Sequence, residues 1–267
     1  MGNIGQVAVA GRRTFLLRHG VLMPKWSFVT DPVACEALGA SMAVVGRAER
    51  WSGLSAAGDR IWQAVLRGFT HSGRIPDAAW LADVTKLDEA AVVPLLRALR
   101  ERDLVVLNGG MASVTAAYPF CTWKTGHVVR LASGVAVNAL CAIDALGTGA
   151  MLGCDTVIES PSRRCGEPVR LATYDSGNAL RRVAPSTAVV WSGIRYADDC
   201  SATSGCTAKA FFYSDRHLAA WRERTESGDT GFRLSIEAAL QIGKAIFVPM
   251  LAGPATNLTK LQEDPNR

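Results

Sequence analysis

The sequence predicts an α+β fold in which a unit of three helices and one β-hairpin precedes a mixed-sheet core. Apolar residues recur at helical spacing in several segments before residue 104. After residue 104, short β-branched runs alternate with turn residues, which is typical of strands. The strands and helices do not alternate regularly, so a parallel βαβ fold is not indicated.

The composition indicates a globular protein of the cytoplasm. The 267 residues suit one large domain or two small ones, and 49% of them are hydrophobic. The net charge of +5 is spread along the chain and does not by itself predict nucleic-acid binding. Seven cysteines without a CxxC pair predict reduced thiols and argue against a disulfide framework. We find no membrane-spanning run and no signal-peptide pattern.

Residues 1–52 form an N-terminal extension to which the sequence assigns no chemistry. Short strands are predicted at 14–17 and 26–29. A helix is predicted from Pro32, because proline after Asp31 favours a helix start.

Residues 53–118 are predicted to form the three-helix unit. Ser55 can cap an amphipathic helix that ends at Gly73, and Asp77 opens a shorter second helix. A third helix is predicted at 89–102, where Pro94 should kink it or displace its start. Strands at 104–107 and 111–115 flank an Asn-Gly-Gly sequence, which is a strong hairpin signal.

Three helices followed by a hairpin is the element order of a winged helix, which binds DNA through its third helix. The basic residues available there are Arg97, Arg100 and Arg102. Acidic neighbours, Glu101 and Asp103 among them, weaken a basic recognition surface. The alternative is a small domain that packs on the one after it, and nucleic acid is not expected as a partner.

Residues 119–254 are predicted to form the core domain, and 255–267 a polar, flexible tail. The predicted strands lie at 127–131, 135–139, 156–160, 168–172, 188–191 and 208–213. A helix that begins near Cys141 is expected to end at Gly147 and Gly149. Two further helices are predicted at 217–225 and 234–248.

Cys141 and Asp144 are the candidate functional pair in this core. Positions i and i+3 lie on one helical face, so the thiol and the carboxyl point into the same space. A thiolate at a helix N-terminus is a soft metal ligand and a good nucleophile, and a partly desolvated carboxyl can move a proton. The spacing alone favours a buried structural cysteine with a capping aspartate. Cys206 is the second thiol that would give the pair a chemical role.

The chain from about 118 to 251 resembles the organomercurial (alkylmercury) lyase family. Residues 140–146, LCAIDAL, match its Cys-Ala-(Leu/Ile)-Asp signature. Residues 204–214, SGCTAKAFFYS, are similar to its second-cysteine segment, with the Phe-Phe pair five residues after Cys206. Cys165 falls where the family can carry a third cysteine, and Glu237 lies in a segment that resembles its last helix. The upstream unit agrees with the winged-helix-like domain of that family.

The resemblance implies protonolysis of a carbon–mercury bond, R–Hg⁺ giving R–H and Hg²⁺, in mercury detoxification. Cys141 would bind mercury first, Asp144 would take the proton of Cys206, and Cys206 would become the second thiolate. Protonated Asp144 would then deliver its proton to carbon. The mercury ligands are thus Cys141, Cys206 and Asp144, no organic cofactor is implied, and soluble thiols or a mercuric reductase would remove Hg²⁺. Cys165 would be structural.

The chain departs from the family at three flanking positions. Asn138 and Leu140 stand where the family often carries Tyr and Trp, and Gly205 stands where Phe or Cys usually precedes the second cysteine. These residues are expected to shape the pocket and to shield the carbanion from water.

Other interpretations stay open at this point. The chain could be a soft-metal-sensing winged-helix regulator, or a diverged lyase-like protein acting in other metabolism. Zinc could bind at Cys154, Cys165, Cys200 and Cys206, although their spacing lacks the short paired knuckles of such sites. Cys200 could assist mercury release or be merely exposed.

Overall fold

The computed structural model describes residues 12–73, 76–109, 113–224 and 230–253. The helices are α1 (Pro32–Val45), α2 (Arg47–Trp51), α3 (Ala56–Ser72), α4 (Ala78–Thr85), α5 (Glu89–Glu101), α6 (Ala142–Leu152), α7 (Asp215–Arg222) and α8 (Ile236–Leu251). The strands are β1 (Phe15–Arg18), β2 (Val21–Met23), β3 (Val105–Leu107), β4 (Val114–Ala117), β5 (Phe120–Cys121), β6 (Val128–Leu131), β7 (Ala136–Ala139), β8 (Thr156–Pro161), β9 (Pro168–Tyr174), β10 (Ala179–Ala184), β11 (Val189–Gly193), β12 (Lys209–Phe212) and β13 (Gly231–Ser235). Short 3₁₀ helices occupy Trp26–Phe28 and Cys206–Ala208.

The predicted α+β class is confirmed. One sheet has eight strands in the order β10-β9-β8-β6-β7-β5-β4-β3, a second has the order β12-β11-β13, and β1 pairs with β2. The described strand pairs are antiparallel throughout, so the core sheet is antiparallel where a mixed one was expected. None of the described helices is long and apolar enough to span a membrane.

Side-chain caps start the N-terminal helices where the sequence places them. Asp31 accepts a hydrogen bond from the Ala34 amide at 2.8 Å at the start of α1. Ser55 accepts one from the Gly58 amide at 3.0 Å at the start of α3. Asp77 caps α4 in the same way, so the capping signals were sufficient to locate these starts.

The hairpin of the three-helix unit belongs to the large sheet. β4 pairs with β5 through Ala116 and Cys121, so hydrogen bonding continues across residue 118. The ring of Phe69 on α3 lies 5.9 Å from that of Phe120 on β5, which joins helix and sheet in one core. The winged-helix assignment and the domain boundaries at 52, 118 and 254 stay predictions, and the predicted tail at 255–267 lies outside the described residues.

Two local predictions were wrong. The strand predicted at 26–29 is absent: Trp26–Phe28 form a 3₁₀ helix, because the amides of Phe28 and Val29 donate hydrogen bonds to carbonyls three residues back. The helix α6 does not end at Gly147 and Gly149 but continues to Leu152.

The two glycines of α6 are required by packing. A Cβ atom on Gly147 would lie 2.8 Å from the Gly243 carbonyl oxygen of α8, and one on Gly149 would lie 2.9 Å from the Cys154 carbonyl oxygen. Glycine therefore lets α6 and α8 approach closely, and the helix ends instead at Gly153, whose φ is +65°. This close pair of helices fixes the position of the residues at the start of α6.

Candidate functional site

Cys141 is the N-cap residue of α6, directly after β7. Its backbone is extended, with φ −154°, and its carbonyl accepts the first helical hydrogen bond from the Ala145 amide at 2.9 Å. The thiol makes no capping hydrogen bond, so it is free to face the interior, where it is 1% exposed. One turn on, Asp144 is 5% exposed, and the helix places both side chains on the same side, as predicted.

Cys206 comes to this pair from a loop that follows β11. Its amide donates to the Ser201 carbonyl at 2.8 Å, and its thiol donates to Asp144 Oδ2 at 3.4 Å. The two sulfurs and one carboxylate oxygen of Cys141, Asp144 and Cys206 lie within 4.8 Å of one another. In the part of the chain that the structure describes, this is the one group of three or more possible metal ligands.

A buried carboxylate at the end of α5 holds the loop that carries Cys206. Asp103 Oδ2 accepts a hydrogen bond from Ser201 Oγ at 2.7 Å, and Asp103 Oδ1 accepts one from Tyr118 Oη at 2.7 Å. The Tyr118 hydroxyl in turn accepts from the Ala202 amide at 2.9 Å. Because the Cys206 amide donates a hydrogen bond to the Ser201 carbonyl, this network sets the position of the second thiol.

Replacing Asp103 by asparagine should loosen this loop. The amide group turns one acceptor into a donor that faces a hydroxyl donor, so the free energy of unfolding should fall by roughly 2–3 kcal/mol. Urea unfolding measures the loss, and hydrogen exchange should show weaker protection of the Ser201, Ala202 and Cys206 amides. Asp83→Asn is the control, because Asp83 is exposed and its carboxylate pairs with the exposed Lys86. Unchanged exchange at those three amides in the Asp103 variant would contradict the proposed restraint.

The carboxyl of Asp144 is adjusted to titrate close to neutral pH. Burial raises the pKa of Asp144 to about 6, while hydrogen bonds from Cys141 and Cys206 and the charges of Lys209 and Arg47 oppose that rise. The carboxyl is therefore ionised at pH 7 and can still be protonated at small cost.

The pKa of the Cys206 thiol is shifted upward, which disfavours a free thiolate. Its hydrogen bond with Cys141, its burial and the nearby Asp144 charge raise the pKa of Cys206 well above its ordinary value. In the free protein the proton between Asp144 and Cys206 therefore stays on sulfur.

Two buried cations lie beside the three residues. Lys209, 8% exposed, donates through Nζ to the Gly193 carbonyl at 3.2 Å and to the Gly205 carbonyl at 3.0 Å. Arg47, also 8% exposed, has its guanidinium carbon 4.4 Å from the centre of the Trp51 ring. Both charges lower the pKa of Asp144, so they favour negative charge in the cavity.

The three residues line a narrow cavity of about 20 Å³. On this scale one water molecule needs roughly 10–15 Å³, so the cavity admits only small groups without rearrangement. The other lining residues come from α1, α2, α6 and α8, from β11 and the start of β12, and from the segments that follow β4 and β11: Ser41, Val45, Arg47, Tyr118, Ile143, Ser192, Arg195, Gly205, Lys209, Ile242, Ile246 and Phe247. The N-terminal extension thus covers the site, which sequence analysis did not foresee.

The structure does not bring the remaining candidate cysteines together into a site. Cys165 is exposed and Cys154 and Cys200 are partly buried, and no zinc cluster is formed by these thiols in the described residues. Asn138 and Leu140 are not among the residues that line the cavity, whereas Gly205 is.

Sequence reasoning missed Arg47, Lys209 and the Asp103 network. Lys209 carried a signal, because it lies within the second-cysteine segment, three residues after Cys206. Arg47 carried none, because its position in the fold depends on contacts far along the chain.

Two comparisons with known protein sequences give the same family name. Residues 120–248 match the family model of alkylmercury lyase (MerB). Curated proteins named alkylmercury lyase, from Bacillus cereus and from Clostridium butyricum, are each 35% identical over 113 residues. These matches cover 42% of this chain and 49% of the relative, so the chain spans about half the length of the curated relatives it matches.

A solved structure extends the likeness of the fold. It is described as the mercury-bound form of MerB2 and superposes with a TM-score of 0.65 at 19% identity, covering 81% of this chain and 98% of the other. At that identity the likeness concerns the fold, and it includes part of the chain before residue 120.

Proposed function

Because residues 120–248 match the family model of alkylmercury lyase, we propose that this protein is an organomercurial lyase that cleaves carbon–mercury bonds by protonolysis. The observation that carries the proposal is the buried triad, in which the Cys206 thiol donates to Asp144 beside Cys141. Two thiols and one acid provide what the reaction needs, namely two soft ligands for mercury and one proton for carbon.

In the proposed first step, the thiolate of Cys141 binds the mercury of R–Hg⁺. The raised pKa of Cys206 keeps its thiol protonated in the free protein. Because a sulfur that coordinates a metal loses its proton, the approach of mercury lowers this pKa. Asp144, ionised at neutral pH and 3.4 Å from that sulfur, accepts the proton. Mercury is then held by two thiolates and by carbon.

In the second step, the proton on Asp144 passes to carbon as the carbon–mercury bond breaks. The electron pair of that bond forms the new C–H bond, R–H leaves, and Hg²⁺ stays between Cys141 and Cys206. The balance is R–Hg⁺ plus one thiolate plus one thiol giving R–H plus a mercury bis-thiolate. Ile242, Ile246 and Phe247 keep bulk water from the carbon during this step.

The proposal includes the partners that complete the cycle. The chemistry needs no organic cofactor, and soluble thiols, or a mercuric reductase, would exchange Hg²⁺ from the two sulfurs. Free thiols that must stay reduced suit the cytoplasm, where we place the protein.

Methylmercury is the best first substrate because the cavity is narrow. Incubation of the reduced protein with methylmercury and a soluble thiol should release methane, measured by gas chromatography. Since Asp144 must be ionised to accept the proton, kcat/KM should be constant above neutral pH and fall as pH drops through about 6. A boiled sample and a sample alkylated at its cysteines serve as controls. No methane from protein whose thiols are shown to be free would refute the proposal.

The comparisons do not favour the alternative functions. For a winged-helix regulator, one of the three arginines expected on the recognition face is used inside the protein. Arg102 donates to the carbonyls of Arg50 and Ser52 at 3.0 and 2.6 Å. Arg102 is therefore not available to contact DNA.

A further inference from the structure

We propose that Arg47 makes this site selective for organomercurials whose organic group carries a carboxylate. The inference rests on the lyase function proposed above and specifies its substrate class. Arg47 lies outside residues 120–248, so the family match does not account for it. It belongs instead to the N-terminal extension that covers the site.

The environment of Arg47 is incomplete without an anion. The side chain is buried and lines the cavity with Cys141 and Asp144. Its Nε atom meets no hydrogen-bond acceptor among the described residues, and its guanidinium packs on the Trp51 ring. A buried guanidinium is stabilised when its donors reach a carboxylate or phosphate, to which its planar shape is matched.

The residues that line the cavity carry an excess of positive charge, which one more anion would offset. Arg47 and Lys209 contribute two positive charges, and Asp144 contributes one negative charge when ionised. Arg195, an exposed residue, adds a third cation to the lining. When mercury occupies both sulfurs, the thiolate charges are neutralised by Hg²⁺, so the cations still face a single carboxylate. A carboxylate on the substrate offsets that excess.

The rest of the lining indicates the shape of the organic group. Val45, Ile242, Ile246 and Phe247 form an apolar wall beside the triad. A group that joins mercury to a carboxylate through a short apolar chain matches such a wall with a cation beside it. Because the cavity is about 20 Å³, a short aliphatic chain fits with less rearrangement than an aromatic ring.

The test compares ethylmercury with 2-carboxyethylmercury, which differ only in the carboxylate. Protonolysis gives ethane from the first and propionate from the second, with Hg²⁺ in both cases. Each substrate is delivered with 2-mercaptoethanol, which is neutral, and separately with mercaptoacetate, which is anionic. The wild type, Arg47→Gln and Arg47→Lys are assayed, with Arg97→Gln as a control that removes one exposed charge outside the cavity.

With the neutral thiol, the wild type should prefer the carboxylate substrate in kcat/KM by about 10- to 100-fold, the range expected for a charge-assisted hydrogen bond in a buried site. Arg47→Gln should remove most of that preference, Arg47→Lys should keep part of it, and Arg97→Gln should keep all of it. No preference with 2-mercaptoethanol, together with faster turnover of both substrates when mercaptoacetate replaces it, would overturn the assignment to the organic group and place the carboxylate on the carrier thiol.

The role of Arg47 and the lyase function are contradicted by different results. Equal kcat/KM for the two substrates with the wild type would overturn the role of Arg47 and leave the lyase function standing. Release of neither product would refute both the lyase function and the proposed substrate class. Because the first comparison uses the wild type alone, a poorly folded Arg47→Gln variant does not remove the test.

Discussion

Replacing Cys206 by serine is expected to stop hydrocarbon release while organomercury still binds. Serine keeps a hydroxyl that can donate to Asp144 as the thiol does, but its hard oxygen does not become a mercury ligand. Mercury then stays bonded to Cys141 and carbon alone, and kcat should fall on the order of 1,000-fold or more. Native mass spectrometry after one equivalent of methylmercury should show the methylmercury adduct in the variant and the Hg²⁺ adduct in the wild type.

Cys165→Ser is the matched control for this experiment. Cys165 is exposed and lies outside the cavity, so the same substitution there should leave methane release unchanged. Methane release at the wild-type rate from Cys206→Ser would show that one thiolate is sufficient, and the bis-thiolate step would be wrong.

The contrast between Cys141 and Arg47 shows what this sequence can and cannot predict. Cys141 and Asp144 are three residues apart on one helix, so helical geometry alone places them on one face. Cys206 lies 62 residues from Asp144, and its place beside the pair was implied only by resemblance to a family. Arg47 reaches the same cavity from a helix of five residues that sequence patterns do not mark.

The fold shows the same division between local and tertiary signals. Asp31 and Ser55 start helices through hydrogen bonds within three residues, so the sequence locates those starts. Gly147 was misread as a helix end because its reason is tertiary, the close approach of Gly243 on another helix. The same limit applies to β13, whose pairing with β11 depends on residues about 40 positions away, so that strand was not predicted.

The second large effect is expected for Asp144→Asn, which should abolish turnover and also stabilise the protein. Asparagine neither accepts the proton of Cys206 nor delivers one to carbon, so kcat should fall on the order of 1,000-fold or more. Mercury binding by the two sulfurs should persist, because both thiols remain. Stopped-flow or discontinuous methane assays measure the loss, and equilibrium dialysis against a competing thiol measures Hg²⁺ affinity.

The stability gain follows from the direction of the pKa shift. Burial raises the pKa of Asp144 from 3.8 in a model aspartate to about 6, so the folded protein holds the proton more tightly than the unfolded chain. Below about pH 4 both states are protonated and there is no penalty. As pH rises from about 4 to about 6, the unfolded chain ionises at this residue while the buried carboxyl still holds its proton, so stability falls, and above about 6 the full cost of about 3 kcal/mol applies.

Asparagine is neutral at every pH, so Asp144→Asn should be more stable than the wild type by up to about 3 kcal/mol at pH 7–8 and equal to it below about pH 4. Urea unfolding at pH 4, 6 and 8 measures this difference. Asp31→Asn is a suitable reference, because asparagine can also cap α1 through its side-chain oxygen. A variant that is inactive and equally stable at all three pH values would mean that the carboxyl is solvated in the free protein. A variant that is inactive, equal in stability at pH 4 and more stable at pH 6 and pH 8 would mean that the protein gives up folding free energy to keep a buried acid available for proton transfer.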